Sequence, residues 1–197
     1  MTTKSQHMRA IICEDEGVTV MQLRKAVLHA GYEVVGEAVE GAAGVALAHE
    51  LEPDFIIMDL NMPGLNGIEA TRRIMRERPT PVIILTAYSD DKSVEDALEA
   101  GACAYLVKPV ASEQLIPAVR TAIARFETME EVRRENETLK EALEARKLIE
   151  RAKGILMQRK QLTEAEAFRR LQKISRDKCQ KMKQTALEVI EADSLLG

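Results

Sequence analysis

Aromatic residues are scarce in this chain: among 197 residues there is no tryptophan, and there are three tyrosines and three phenylalanines. Cysteine is scarce as well. Cys13, Cys103 and Cys179 are odd in number and far apart, with no Cys-x-x-Cys pair, which argues against a disulfide framework or a zinc site and fits a reduced compartment. The three histidines are scattered, so imidazole ligation of a metal has little to work with. No apolar run approaches the ~20 residues of a membrane span. Residues 1–9 carry no hydrophobic signal core. The expected location is the cytoplasm, with no membrane partner.

What is present is unevenly charged. The formal net charge of −4 hides an acidic front and a basic back. Residues 1–145 hold 25 Asp/Glu against 15 Lys/Arg, whereas residues 146–197 hold 7 against 13. Two modules with different partners are the natural reading.

Short apolar runs at Ala10–Cys13, Glu33–Gly36, Phe55–Met58, Val82–Leu85 and Ala104–Val107 predict strands. Amphipathic stretches near residues 18–30, 41–51, 67–77 and 92–100 lie between them. Five strands alternating with helices predict an α/β fold, a doubly wound parallel sheet covered on both faces. Chemistry in such sheets collects beyond the carboxyl ends of the strands, where strand order reverses.

From Ser112 the pattern is almost wholly helical, and after Pro117 neither Pro nor Gly occurs until Gly154. Met129, Val132, Asn136, Leu139 and Leu143 fall at heptad spacing, with Asn136 the kind of polar residue that fixes register in a two-stranded coiled coil. Roughly two heptads pair only weakly alone, as suits a conditional homodimer. The alternative is one solvated helix docked on a neighbour. The last 50 or so residues predict a small three-helix bundle. Its first helix runs through Leu148, Ala152 and Ile155. A second, with apolar face Ala167, Leu171 and Ile174, opens at the capping-box pair Thr163 and Glu166. The third runs from about Gln180 through Met182, Ala186 and Val189.

The strand ends carry a shared chemistry. Glu14 and Asp15 follow the first strand, Asp59 the third, Thr86 the fourth and Lys108 the fifth. Neighbouring carboxylates repel unless they share a hard cation, and Mg²⁺ needs few protein oxygens because it keeps several waters. Asp59 is then a nucleophile for phosphoryl transfer. Lys108 and Mg²⁺ would neutralise the phosphoryl oxygens, and Thr86 would donate to one of them. A cis bond at Pro109 would turn Lys108 toward the pocket. Taken singly, each residue is an ordinary turn former or surface charge. All five at successive strand ends point to one site.

Residues 8–126 thus resemble the response-regulator receiver domain. The resemblance rests on Glu14-Asp15-Glu16, Asp59-Leu60-Asn61-Met62-Pro63 with Gly67, Leu85-Thr86-Ala87, and Tyr105-Leu106-Val107-Lys108-Pro109. It implies phosphorylation of Asp59 by a cognate sensor histidine kinase and slow self-catalysed dephosphorylation, with no turnover of a separate substrate. Asp15, Asp59 and the Asn61 carbonyl would hold Mg²⁺, with Glu14 close by or bound through water. Thr86 and Tyr105 match the family's coupled switch pair. Glu14 departs from the aspartate more usual there. A haloacid-dehalogenase phosphatase also forms an aspartyl phosphate, but it needs a second aspartate where this chain has Asn61.

The basic tail suggests a polyanion partner. Candidate contacts are Arg146, Arg151, Lys153, Arg159, Lys160, Arg170, Lys173, Arg176, Lys178 and Lys181, which helical spacing cannot place on one face. Phe168 is the one aromatic after Phe126, so the tail is no aromatic base-stacking platform, and if RNA is the ligand, arginine planes and phosphate contacts must carry the load. No glycine marks a turn around Arg176–Cys179, and no helix-turn-helix can be traced. Residues from about 140 onward resemble the ANTAR domain of transcription antitermination regulators. The resemblance is carried by Arg146-Lys147-Leu148-Ile149-Glu150-Arg151-Ala152-Lys153-Gly154-Ile155-Leu156-Met157, by Thr163-Glu164-x-Glu166-Ala167-Phe168 with Leu171, and by Ser175, Met182, Ala186 and Val189-Ile190. It implies a three-helix bundle that binds paired hairpins in nascent leader RNA and prevents termination. Gln172-Lys173-Ile174 departs from the pattern, in which an arginine often follows the leucine. The expected parts are a receiver at 8–126, a helical coiled-coil linker at 127–145 and an RNA-binding bundle at 146–197. The competing expectations are a phospho-regulated DNA-binding transcription factor and a receiver acting through protein contacts alone.

Overall fold

A computed structural model describes residues 8–87 and 91–196. The chain order is β1 (Arg9–Cys13), α1 (Gly17–His29), β2 (Glu33–Ala38), α2 (Gly41–Leu51), β3 (Phe55–Asp59), α3 (Gly67–Glu77), β4 (Val82–Thr86), α4 (Asp91–Glu99), β5 (Ala104–Val107), α5 (Ser112–Lys160), α6 (Glu164–Asp177) and α7 (Met182–Leu196). The chain divides into two compact units, Met1–Glu130 and Glu131–Gly197.

In the first unit the strands form a parallel sheet in the order β2-β1-β3-β4-β5. Strand side chains alternate between the faces, and both faces are apolar. Ala10, Ile12, Phe55, Ile57, Ile83 and Leu85 pack with Leu23 and Val27 of α1 and with Leu115, Val119 and Ala122 of α5. Ile11, Cys13, Ile56, Met58, Val82 and Ile84 pack with Ala48 of α2, Ala70 and Ile74 of α3 and Ala97 of α4. Each fully buried Ile or Leu contributes about 2 kcal/mol, which is why β1, β3 and β4 read as unbroken apolar runs. Pairing with β1 skips Val35, and β2 extends past Gly36 to Ala38 opposite Cys13.

In the second unit Ala152 and Leu156 of α5, Ala167 and Leu171 of α6 and Ala186 of α7 form a separate core. Thr163 caps α6: its hydroxyl accepts from Glu166 N–H, and the Glu166 carboxylate accepts from Thr163 N–H. The helix ends without glycine. Cys179 adopts φ 51, its N–H donates to Arg176 O, and the Gln180 N–H donates to Ser175 O. This is the Schellman closure, in which a left-handed residue satisfies the last carbonyls. The third helix therefore starts at Met182 rather than near Gln180. The apolar positions of the anticipated seam, Met129, Val132, Leu139 and Leu143, are exposed along α5. Among the described residues no helix is long and apolar enough to cross a membrane.

Candidate functional site

The order β2-β1-β3 means that successive crossovers leave β1 and β3 in opposite directions, opening a crevice beyond their carboxyl ends. Glu14 and Asp15 directly follow β1, and Asp59 is the last residue of β3. Carboxylate oxygens of all three lie within 4.8 Å of one another. Lys108, just past β5, reaches into the same place: its Nζ is 2.6 Å from Glu14 Oε2 and 3.1 Å from Asp59 Oδ1. Glu14 is 1% exposed and Asp59 3%, whereas Asp15 lies at the surface.

One ammonium cannot balance three carboxylates. Burial pushes the Glu14 carboxyl above its ordinary pKa. The Lys108 ammonium and the Glu16 N–H oppose that rise, and the Asp59 charge adds to it. Burial by itself would lower the Lys108 pKa, but its hydrogen bonds to Glu14 and Asp59, with their charges, outweigh it and hold the ammonium above the ordinary lysine value. Among the described residues, the buried Glu14 Oε2 has the Lys108 ammonium beside it and no further hydrogen-bond partner. An all-oxygen set with excess negative charge and an under-coordinated carboxylate oxygen is what a hard divalent cation requires.

The backbone around Asp59 is held by close approaches. A Cβ on Gly67 would lie 2.0 Å from the Asp59 carbonyl oxygen, and one on Gly41 would lie 2.2 Å from the Leu65 carbonyl oxygen. The Gly67 N–H donates to Leu60 O, and the Thr71 hydroxyl donates to Gly67 O. Thr86 is buried at the end of β4, and its carbonyl accepts from the Lys108 N–H at 2.8 Å. Tyr105 lies opposite Ile84 on β5 and is half exposed. Asn61 is exposed in the loop after β3, and the Lys108–Pro109 bond is cis. A cleft of about 260 Å³, lined in part by Thr19, Gln22, Ala87 and Pro109, opens beside Lys108. Thr19 and Gln22 had no signal in the sequence beyond lying on α1.

The basic residues of the second unit do not share one role. Arg146, Arg151, Lys160, Arg170, Lys173, Arg176 and Lys181 are exposed. Arg159 pairs with Asp193 at 2.8 Å and Lys178 with Glu188 at 2.7 Å. Lys153 is turned inward. It is 6% exposed, and its ammonium lies 2.9 Å from Glu150 and 2.7 Å from Glu164, tying the first residue of α6 to α5. Two carboxylates thus already surround the charge that the sequence offered as an RNA contact. Arg169, absent from the expected contacts, is exposed on the outer side of α6.

A doubly wound sheet with a buried aspartate, an acidic pair and a lysine at its switch point is the arrangement expected of a receiver domain. A family model for the response regulator receiver domain matches residues 10–120, and one for the ANTAR domain matches residues 137–190. The chain belongs to the response regulator family, with a receiver and an ANTAR domain. It is 44% identical over 183 residues to the transcriptional regulatory protein PdtaR of Mycobacterium tuberculosis, covering 93% of this chain and 89% of that protein. Among solved structures, the response regulator domain of Thermotoga maritima CheB is similar with TM-score 0.57 and 31% identity, over 60% of this chain and 98% of that one. The receiver domain of a sensor histidine kinase from Pseudomonas aeruginosa PAO1, crystallised with a magnesium ion in its active-site cleft, is similar with TM-score 0.55 and 29% identity, over 60% and 98% of the two chains.

Proposed function

We propose that the protein is a phosphorylation-controlled regulator that binds paired hairpins in nascent leader RNA and prevents transcription termination. The observation that carries the reading is that one chain holds both a buried aspartate beside a lysine and an acidic pair, and a helical unit whose exposed face is cationic. A partner histidine kinase supplies the phosphoryl group. An Asp59 carboxylate oxygen forms the new O–P bond as the bond from phosphorus to the donor's imidazole nitrogen breaks. Asp15, Asp59 and the Asn61 carbonyl would hold Mg²⁺, with Glu14 beside them, and the ion would supply charge neutralisation at the transferring oxygens. Lys108 exchanges its contact with Asp59 for one with a phosphoryl oxygen, and the Thr86 hydroxyl donates to another. Thr86 moving toward the phosphoryl group leaves room for Tyr105 to turn inward, which is the switch.

The 127–145 stretch acts as the linker. Its exposed Met129, Val132, Leu139 and Leu143 pair with a second chain when Asp59 is phosphorylated, with Asn136 fixing register. Two bundles, residues 146–197 of each chain, then meet two hairpins in the cytoplasm.

One observation favours a second reading, binding of duplex DNA. α6 and α7 are joined by the four residues 178–181, a length common in helix-turn-helix motifs. Against it, α7 carries Glu188, Glu191 and Asp193 and the single base Lys183, an unfavourable charge for a helix laid between phosphates. Retention of a two-hairpin RNA and of duplex DNA of equal length, measured with Mg²⁺ and a small phosphodonor, separates the readings. Preferential RNA retention is expected. DNA retained without RNA would overturn the output assignment.

A further inference from the structure

We infer that the RNA-docking surface is the outer side of α6, where Arg169, Lys173 and Arg176 form a phosphate-tracking ridge and Phe168 stacks on an unpaired loop base. The inference rests on the RNA reading above and says where on the bundle it takes place.

The buried side of α6 is set by Ala167, Leu171 and Ser175. At 3.6 residues per turn, positions 169, 173 and 176 lie on the opposite side, at i, i+4 and i+7. All three are exposed. The rise between Arg169 and Lys173 is about 6 Å, comparable to the step between successive phosphates of an RNA strand. Among the described residues no carboxylate lies within ion-pair distance of these three cations. Of the acids on the helix, Glu166 is spent on the Thr163 N–H and hydroxyl, and Asp177, next to Arg176 and one turn beyond Lys173, is exposed and forms no ion pair with either. Elsewhere in the bundle, Lys153, Arg159 and Lys178 are matched by acids of the bundle itself. Arg146, Arg151, Lys160, Lys181 and Lys183 are exposed outside α6, but α6 alone gathers Arg169, Arg170, Lys173 and Arg176 on one short helix, and an anionic strand complements that charge.

Phe168 adds what a charge ridge lacks. It is 41% exposed although apolar, and lies on the flank of α6 between the buried side and the ridge, beside Gln172. A ring next to cations suits an unpaired base splayed from a hairpin loop, since every base has a face to stack and the backbone on either side needs neutralising. Duplex DNA offers no such base.

The test is the salt dependence of binding by the full-length protein to an RNA of two short hairpins with unpaired loops. Phosphate contacts and stacking are both tolerant of sequence, so a generic hairpin RNA suffices as the probe. Arg169→Ala, Lys173→Ala and Arg176→Ala are each expected to flatten the slope of log affinity against log salt by roughly one. Lys147→Ala, which removes an ammonium paired with Glu144, should keep the parent slope. Phe168→Leu, which retains an apolar side chain of similar reach, is expected to weaken binding about tenfold at an unchanged slope. If the parent binds with a steep slope that all three ridge variants retain, the docking surface is elsewhere and the inference fails. A Phe168→Leu variant that binds like the parent overturns the stacking half. If the parent shows no salt-dependent RNA binding at all, the RNA reading fails, and the inference with it.

Discussion

The two units of this chain handle charge in opposite ways. In the first, Glu14, Asp59 and Lys108 are gathered out of water around one point, where each charge depends on its neighbours. In the second, most of the basic residues are spread over the surface, where an isolated ion pair is worth little and only a set of cations acting together binds anything. Removing one group from the first unit should therefore abolish a function, whereas removing one from the second should only weaken it.

The largest expected effect is at Asp59. Asp59→Asn keeps the shape but removes the nucleophile, so uptake of a phosphoryl group from a small donor, read by intact mass, should vanish; uptake at the parent level would place the acceptor elsewhere. Next is Gly67→Ala. A methyl group 2.0 Å from the Asp59 carbonyl oxygen forces the backbone apart, at a cost of about 3 kcal/mol. Urea unfolding of the receiver should shift accordingly, with slower phosphoryl uptake. A smaller effect tests the exception in the second unit. Lys153→Met leaves Glu150 and Glu164 facing each other, so the melting temperature of the helical unit should fall by more than in Lys178→Met, where an exposed pair is lost. The slope of RNA affinity against salt should stay at the parent value, since the Lys153 charge is already taken up by Glu150 and Glu164.

The smallest effect concerns the thiols. Burial pushes the Cys13 thiol up to about 12 and raises that of Cys103. At pH 8 neither forms the reactive thiolate, whereas Cys179 is exposed. One thiol should react with an alkylating reagent in the native protein and three after unfolding.

Much of the receiver was legible in the sequence because its signals are redundant. Apolar runs at β1, β3 and β4 mark buried strands, and the residues ending them share one chemistry, so Asp59, Asp15 and Lys108 could be placed together before any coordinates. The role of Gly67 was not legible: that a Cβ would strike the Asp59 carbonyl depends on a turn whose path no local pattern specifies. In the second unit the capping box announced the start of α6, but its end was hidden because Cys179 takes a backbone conformation usually left to glycine. The burial of Lys153 is not legible in composition, although periodicity carries a warning. Lys153 shares a stripe with Ile149 and Leu156, both packed into the small core, and a lysine in such a stripe calls for a carboxylate. Which surface cations bind RNA was least legible, because that depends on which have acids of their own, a property of the folded bundle.

The central claim is that the state of Asp59 governs what the second unit binds. The most direct measurement is the affinity of the parent and of Asp59→Asn for a two-hairpin RNA, each with Mg²⁺, before and after addition of a small phosphodonor. Affinity that rises with phosphodonor in the parent and stays flat in the variant is the predicted result. An equal rise in both, or RNA binding by the parent that ignores the phosphodonor, would contradict the account.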